Sequence, residues 1–280
     1  MIITVIGLGL IGGSMALELK SQLCVHVIGV DAKIEHQKQA LDRSLVSEIA
    51  DLNEGVQKAD VVIIATPVDS IEQLLPQVLD IANEHTVVID VGSTKSGICT
   101  KVKSHKNRAR YIAAHPLAGT EFSGPQAAIK DLFKGKKNII CEHELSAPDA
   151  VDTATQVFNS MGLTTYYMGS KEHDRHLAYV SHLSHVTSFT LGLTVLNIEK
   201  DEKQIFNLAS TGFESTARLA KSNPETWAAI FDKNNEFLVE ALDSYIGYLQ
   251  KFRLGIVQRK TSETKALMTE ANDIKRILQR

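Results

Sequence analysis

The stretch Gly7-Leu8-Gly9-Leu10-Ile11-Gly12-Gly13-Ser14 constrains this chain more than any other. An apolar run from Ile2 to Ile6 leads into it, and Met15-Ala16-Leu17-Glu18-Leu19-Lys20 carries on as helix. Strand, glycine turn and helix in that order open a dinucleotide-binding unit. Each glycine has its own reason. Gly7 makes the tight turn, Gly9 lets backbone approach a pyrophosphate, and Gly12 lets the helix pack close to the strand. Leu10 and Ile11 stand in the first turn of that helix, where unpaired N–H groups and the dipole favour an anion.

A second signal sits at the right distance. His26-Val27-Ile28-Gly29-Val30 reads as another short strand, and Asp31 ends it, at about the twenty-residue spacing such units use. An acid there accepts hydrogen bonds from the adenosine ribose hydroxyls and repels a 2′-phosphate, so the cofactor reads as NAD. Lys33 lies near enough to soften that preference, which leaves NADP use open.

With 280 residues the chain can form one large domain or two ordinary ones. The net charge of -3 and the lack of a long basic run argue against nucleic acid as main partner. No apolar stretch is long enough to span a bilayer, and the N-terminal apolar run reads as a strand, not a signal peptide. Cys24, Cys99 and Cys141 are widely spaced and make neither a disulfide framework nor a zinc site, which suits a reducing cytoplasm.

Residues 1–168 alternate between short apolar strands and amphipathic helices, the pattern of a Rossmann-type α/β domain. After a polar helix over 33–43 comes the buried strand Val61-Val62-Ile63-Ile64-Ala65, broken by Thr66-Pro67. Helices are expected over 70–83, 96–106 and 147–161. Strands are expected over 86–90, 111–114, 137–141 and 163–168. Ligands bind outside the carboxyl ends of such strands. The glycine turn, Asp31, Thr66-Pro67, Gly92-Ser93 and His115 all fall at that edge, which implies one shared site. From Ser170, an expected N-cap, the character turns helical, so 169–280 reads as an all-α substrate-binding and dimerisation domain. Helices are expected over 170–198, from 201 to 208, over 212–220, over 224–254 and over 260–280. Leu238, Leu242, Tyr245, Leu249, Phe252 and Ile256 form a coiled-coil-like stripe that suits a core face or a dimer seam equally.

His115 precedes Pro116, which holds it extended at the sheet edge. A histidine there can take a proton from a substrate hydroxyl while hydride leaves the same carbon. Ser93, one strand away, can hydrogen-bond both the imidazole and the substrate oxygen. Downstream, His173, Asp174, Ser181, His182 and His185 share one helix, with no convincing spacing for a metal, and read as a polar wall for an anionic substrate. Arg218 can grip a carboxylate bidentately, and Lys221 follows one turn on. Trp227 is the only tryptophan and suits a core, a pocket or an interface.

Four motifs together, Gly7–Ser14, Asp90-Val91-Gly92-Ser93-Thr94-Lys95, His115-Pro116-Leu117-Ala118-Gly119-Thr120-Glu121 and Ser181-His182-Leu183-Ser184-His185, resemble the prephenate dehydrogenase family, which includes arogenate dehydrogenases. The resemblance runs through Arg218-Leu219-Ala220-Lys221 and Pro224-Glu225-Thr226-Trp227. It implies oxidation and decarboxylation of prephenate to 4-hydroxyphenylpyruvate, or of arogenate to tyrosine. His115 would be the partner of the C4 hydroxyl, with Ser93 in support. Glu121 would gate the pocket mouth. Ser181, His182 and His185 would line the substrate site, Arg218 would bind a substrate carboxylate, and Trp227 would reach a neighbouring subunit's pocket. Thr66 and Pro67 join Gly7, Gly9, Leu10, Ile11, Gly12 and Asp31 in the cofactor set. The family usually has Pro where Ser184 stands, so a helix kink is expected to be lost here. With the dinucleotide unit at the start and only a short stretch after the long helix, neither a fused chorismate mutase domain nor a C-terminal regulatory domain of the ACT type is expected. Two competitors remain. A 3-hydroxyacid dehydrogenase would place a lysine in the first helix after the sheet domain, and 176–199 has none, which says less against an imine reductase. A non-enzymatic NAD-binding protein would not need both His115 and Arg218.

Overall fold

The computed structural model describes residues 1–199 and 210–278. The chain folds as two compact units, 1–234 and 235–280.

The first unit is built on one sheet of eight strands: β1 Ile2–Ile6, β2 His26–Val30, β3 Glu48–Ile49, β4 Val61–Ile64, β5 Val87–Asp90, β6 Tyr111–Pro116, β7 Lys137–Cys141 and β8 Thr164–Met168. Their order is β3-β2-β1-β4-β5-β6-β7-β8. The first six run parallel, and β7 turns antiparallel to β6 with β8 parallel to it. The chain moves outward from β1 to β3, then returns to the other side of β1 with β4. That reversal opens a crevice between the carboxyl ends of β1 and β4, the ligand-binding point of open α/β sheets.

The central strands are apolar on both faces because helices cover both. Ile3, Val5, Val61, Ile63 and Ile89 join one buried cluster, with Met15 and Leu19 of α1 (Leu10–Gln22) and Ala154, Val157 and Phe158 of α6 (Pro148–Ser160). Ile6, Val62, Ile64 and Val88 join the opposite cluster, with Ile71, Leu75 and Val78 of α4 (Val68–Ile81) and Ile98 and Val102 of α5 (Ser96–Val102). Such Val/Ile runs without polar alternation mark a doubly covered parallel sheet.

Several boundaries differ from expectation. The helix begun at Ser96 ends at Val102, short of 106. Between α2 (Ile34–Asp42) and β4, the structure adds β3 and α3 (Leu52–Lys58), which the periodicity did not reveal. Asp51 caps α3 by accepting from Glu54 N at 2.8 Å, a pair that was legible as an N-terminal signal. The N-cap of α7 (Ser170–Leu177) is Gly169, not Ser170, because the Ser170 hydroxyl is given to Glu142. The expected helix 170–198 is α7, a π-helical turn Ala178–His182, and α8 (Leu183–Glu199). The expected helix at 201–208 lies outside the described residues. The 212–220 helix is α9 (Thr211–Ala217) followed by a 3₁₀ turn, Arg218–Lys221. The single helix expected over 224–254 is two, α10 (Pro224–Lys233) and α11 (Asn235–Val257), broken at Asn234 with φ -117° and ψ 28°.

The second unit holds α11, α12 (Thr261–Ala271), a 3₁₀ turn Asn272–Ile274 and α13 (Lys275–Leu278), in place of one helix over 260–280. Gly255 permits α12 to fold back on α11, since a Cβ there would stand 2.5 Å from Thr264 Oγ1. Tyr245, Ile246, Leu249 and Ile256 of α11 are exposed. Among the described residues no helix is long and apolar enough to cross a membrane.

Candidate active site

The crevice beside β1 is shaped by what its glycines exclude. Gly7 takes φ +92°, and a Cβ there would sit 2.9 Å from the Ala65 carbonyl. A Cβ on Gly12 would stand 1.9 Å from Gly7 O, so only glycine lets α1 approach the turn. Gly9 has open space where a Cβ would point. It starts α1 with no side-chain cap, leaving the N–H groups of Leu10 and Ile11 facing the crevice. Asp31 takes one backbone N–H on each carboxylate oxygen, from Leu8 at 2.8 Å and Lys33 at 2.9 Å, and His36 Nδ1 lies 3.3 Å away. Leu8 and His36 both meet Oδ2, so Oδ1 keeps a lone pair for a ribose hydroxyl. Across the crevice the buried Thr66 Oγ1 has no hydrogen-bond partner among the described residues, and Pro67 caps α4. A cradle cleared of side chains, free helix N–H groups and an orphan hydroxyl fit a dinucleotide.

A chain of two histidines and a carboxylate starts two strands away. His115 stands within β6, opposite Ile139 of β7, rather than just beyond the strand. Its Nδ1 is 2.8 Å from His173 Nε2, and His173 Nδ1 is 2.7 Å from Asp174 Oδ1. Asp174 also accepts from Lys95 N at 2.8 Å and Ser96 N at 2.7 Å. These contacts fix every proton in the chain. A carboxylate only accepts, so His173 carries its hydrogen on Nδ1 and presents a lone pair at Nε2. His115 must then donate from Nδ1, which leaves the lone pair on His115 Nε2. Crowding by protein, then His173 and Lys95, hold the His115 imidazole well below the usual histidine range. Burial also lowers His173 against the opposing pull of Asp174. Burial would raise Asp174, but His173 and the two backbone N–H groups outweigh it and hold it below the ordinary carboxylate value. The group at the sheet edge is therefore a neutral acceptor. Ser93, three residues past Asp90, reaches the same edge and makes no hydrogen bond among the described residues.

The helical wall is wired by the same logic. Asn234 Nδ2 donates to Asp174 O at 2.8 Å and meets His182 Nδ1 at 2.9 Å. A carbonyl only accepts, so the amide orientation is set, and His182 carries its hydrogen on Nε2 as a donor. Burial pushes His182 down to about 4. His185 Nδ1 donates to Ser181 O at 3.0 Å, leaving Nε2 as an acceptor, and its ring stacks on Trp227 at 3.3 Å. Trp227 thus serves this chain's own His185, whatever it meets in a neighbour. A π turn, Ala178–His182, interrupts the helix just before Ser184. Arg218 opens the 3₁₀ turn, half exposed, with Nη1 3.9 Å from Glu121 Oε2. An open cavity of about 620 Å³ includes Glu121, Phe122, Gln126, Lys221 and Asn223. It shares Glu121 with the site, and the histidines do not line it. The loop carrying Glu121 is strapped to α1 and α2: Ile129 N donates to Ser14 Oγ at 3.0 Å, Asp131 N donates to Glu18, and Arg43 binds Pro125 O and Ala128 O.

The family model for the nucleotide-binding domain of prephenate dehydrogenase matches residues 15–167, more than half of the chain. This chain belongs to the prephenate dehydrogenase family. The model for the family's dimerization domain matches 169–270. A prephenate dehydrogenase of Bacillus subtilis is 29% identical over 95% of this chain and 73% of its own. A cyclohexadienyl dehydrogenase of Zymomonas mobilis is 28% identical over 92% of this chain and 89% of its own. Among solved structures, Aquifex aeolicus prephenate dehydrogenase in complex with hydroxyphenyl propionate and NAD+ is similar, with TM-score 0.90, 27% identity, and 100% and 98% of the two chains covered. Synechocystis arogenate dehydrogenase gives 0.79 at 26% identity, covering 99% and 100%. Membership makes the chain an oxidoreductase of the prephenate, cyclohexadienyl and arogenate dehydrogenase group. In this prephenate dehydrogenase fold, α7 links two of the residues named from the sequence: His115 meets His173, and His182 shares Asn234 with Asp174 O. Sequence reasoning named His173 and Asp174 but not their place behind His115, and it missed Asn234. The polar run Asp232-Lys233-Asn234-Asn235-Glu236, which interrupts the apolar pattern, was the available signal for the latter.

Proposed function

We propose that the chain oxidises and decarboxylates prephenate with NAD in the cytoplasm, residues 1–168 holding the cofactor and 169–280 the substrate and a homodimer interface. The observation that carries this is the hydrogen-bond chain that leaves a neutral acceptor at His115 Nε2. Gly7, Gly9, Leu10, Ile11 and Gly12 cradle the pyrophosphate, Asp31 takes the ribose, and Thr66 and Pro67 close the far wall. Bound there, NAD supplies the hydride acceptor. His115 Nε2 accepts the C4 hydroxyl proton as that carbon becomes a carbonyl, with Ser93 holding the same oxygen. Loss of CO2 then sends the carbon–carbon bond electrons into the ring, and the phenolate oxygen takes the proton back from His115. No net proton is consumed, so one histidine serves as base and then as acid.

Arg218 grips a substrate carboxylate from beside Glu121, where the 3.9 Å separation leaves the guanidinium free to reorient. Ser181, His182, His185 and Trp227 form the wall that orients the ring. Relatives named prephenate dehydrogenase in Lactococcus lactis and Bacillus subtilis support the choice of prephenate as substrate. The test is reduced-nicotinamide formation by purified protein with prephenate and arogenate, each with NAD and NADP. Prephenate with NAD should give the highest kcat/KM. Faster turnover of arogenate would replace the substrate, and no turnover of either by folded, NAD-binding protein would remove the assignment.

A further inference from the structure

Lys95 is fully buried, and its ammonium is clamped to the equally buried Asp90. Asp90 sits at the carboxyl end of β5 and is already served by Gly92 N at 2.9 Å and the Tyr111 hydroxyl at 2.7 Å. A buried ion pair is a poor source of stability, because desolvating two charges offsets most of their attraction. Two features of its placement suggest another role. The backbone N–H of Lys95 binds the carboxylate that orients His173, so folding its side chain onto Asp90 fixes the turn that presents this donor and the next one. Its positive charge is buried on the same turn whose backbone meets Asp174, and it lowers the proton affinity of both His115 and His173.

We propose that Lys95 is a positioning residue for proton transfer: its side chain, locked on Asp90, holds the 91–96 turn against Asp174, and its buried charge opposes protonation of His115. The other titratable groups facing His115 are His173 and Asp174 of α7 and His182 of the π turn. Asp174 stays ionised under three donors and acts on His115 only through His173, whereas Lys95, though paired with Asp90, is the fixed cation acting on His115 itself. The electrostatic influence of Lys95 on His115 runs in the direction required, lowering its affinity for a proton.

The test reads the imidazole directly. With histidine labelled at Cε1, the resonance missing in His115→Asn identifies His115, and its pH titration is followed in the whole chain. In Asp90→Asn/Lys95→Gln, which keeps a hydrogen-bonded pair without charge, the His115 midpoint should move to higher pH than in the natural sequence. Tyr111→Phe weakens the same cluster but keeps the charge, so its midpoint should stay in place. An unmoved midpoint in the double variant, or an equal shift in Tyr111→Phe, overturns the proposal. Should the double variant not fold, Lys95→Arg keeps the cation: an unmoved midpoint supports the proposal and a shifted one overturns it. The inference draws its meaning from the proposed role of His115, yet this readout needs no substrate. Where prephenate is oxidised, the acid limb of kcat/KM should move with the midpoint.

Discussion

A carboxylate that can only accept decides where a lone pair stands two rings away. Asp174 sets His173, His173 sets His115, and Asn234 sets His182 by the same rule. His115, Ser93 and Arg218 can be singled out from the sequence because each falls at an expected strand end or on an expected short helix, although His115 stands inside β6. The pairing of His173 with His115 was not, because 58 residues separate them and no local pattern reports a contact of that kind. Two outcomes follow at this scale. Arg218→Gln should raise KM for prephenate about tenfold or more while leaving kcat within a few-fold, since an arginine–carboxylate pair contributes a few kcal/mol; steady-state kinetics would show it, and an unchanged KM would mean the carboxylate is held elsewhere. The buried histidines should also make stability depend on pH. Unfolded, His182 titrates near 6.5, and folded near 4, so between these the unfolded chain binds more protons. Its contribution is complete above pH 6.5 and is lost as the pH falls toward 4, with His115 and His173 acting in the same direction. Urea midpoints should therefore be lower at about pH 5 than at about pH 7.5, and a flat profile would contradict neutral burial.

The elements explain which parts of the fold the sequence disclosed. Strands buried on both faces read as short apolar runs, so β1, β2, β4, β5, β6 and β7 stood out, and β8 reads as a strand although it is a largely exposed edge. β3 has two residues and no periodicity to detect. The break between α10 and α11 was hidden because the apolar stripe resumes after Asn234, whose side chain is spent on Asp174 O and His182 rather than on the surface. The π turn was hidden as well, since an extra residue per turn leaves no signature in composition. At the cofactor crevice the sequence signal was strong because sterics leave one residue type. Gly12→Ala would put a methyl group 1.9 Å from Gly7 O. It should destabilise the first unit by about 1–3 kcal/mol and weaken NAD binding, read by thermal unfolding and by titration with NAD. Near-normal stability and affinity together would mean that α1 does not need to lie so close.

For the whole molecule, assembly and chemistry are the two properties left to decide. The family's dimerization domain spans 169–270 of this chain, and α11 exposes Tyr245, Leu249 and Ile256 along the stripe that the sequence could assign equally to a core or a seam. Exposed apolar residues at that spacing favour the seam. Tyr245→Glu/Leu249→Glu should give monomers in sedimentation velocity with helical content retained, and the natural sequence should give dimers; a dimer in both would place the interface elsewhere. The chemistry converges on His115 Nε2, and one comparison tests it most directly: kcat for prephenate oxidation in the natural sequence and in His115→Asn, with the NAD dissociation constant measured in each. A fall of roughly 10²–10⁴-fold in kcat with NAD affinity unchanged is the predicted result. An unchanged kcat would show that the proton leaves by another route and that the Asp174–His173–His115 chain does not serve the reaction.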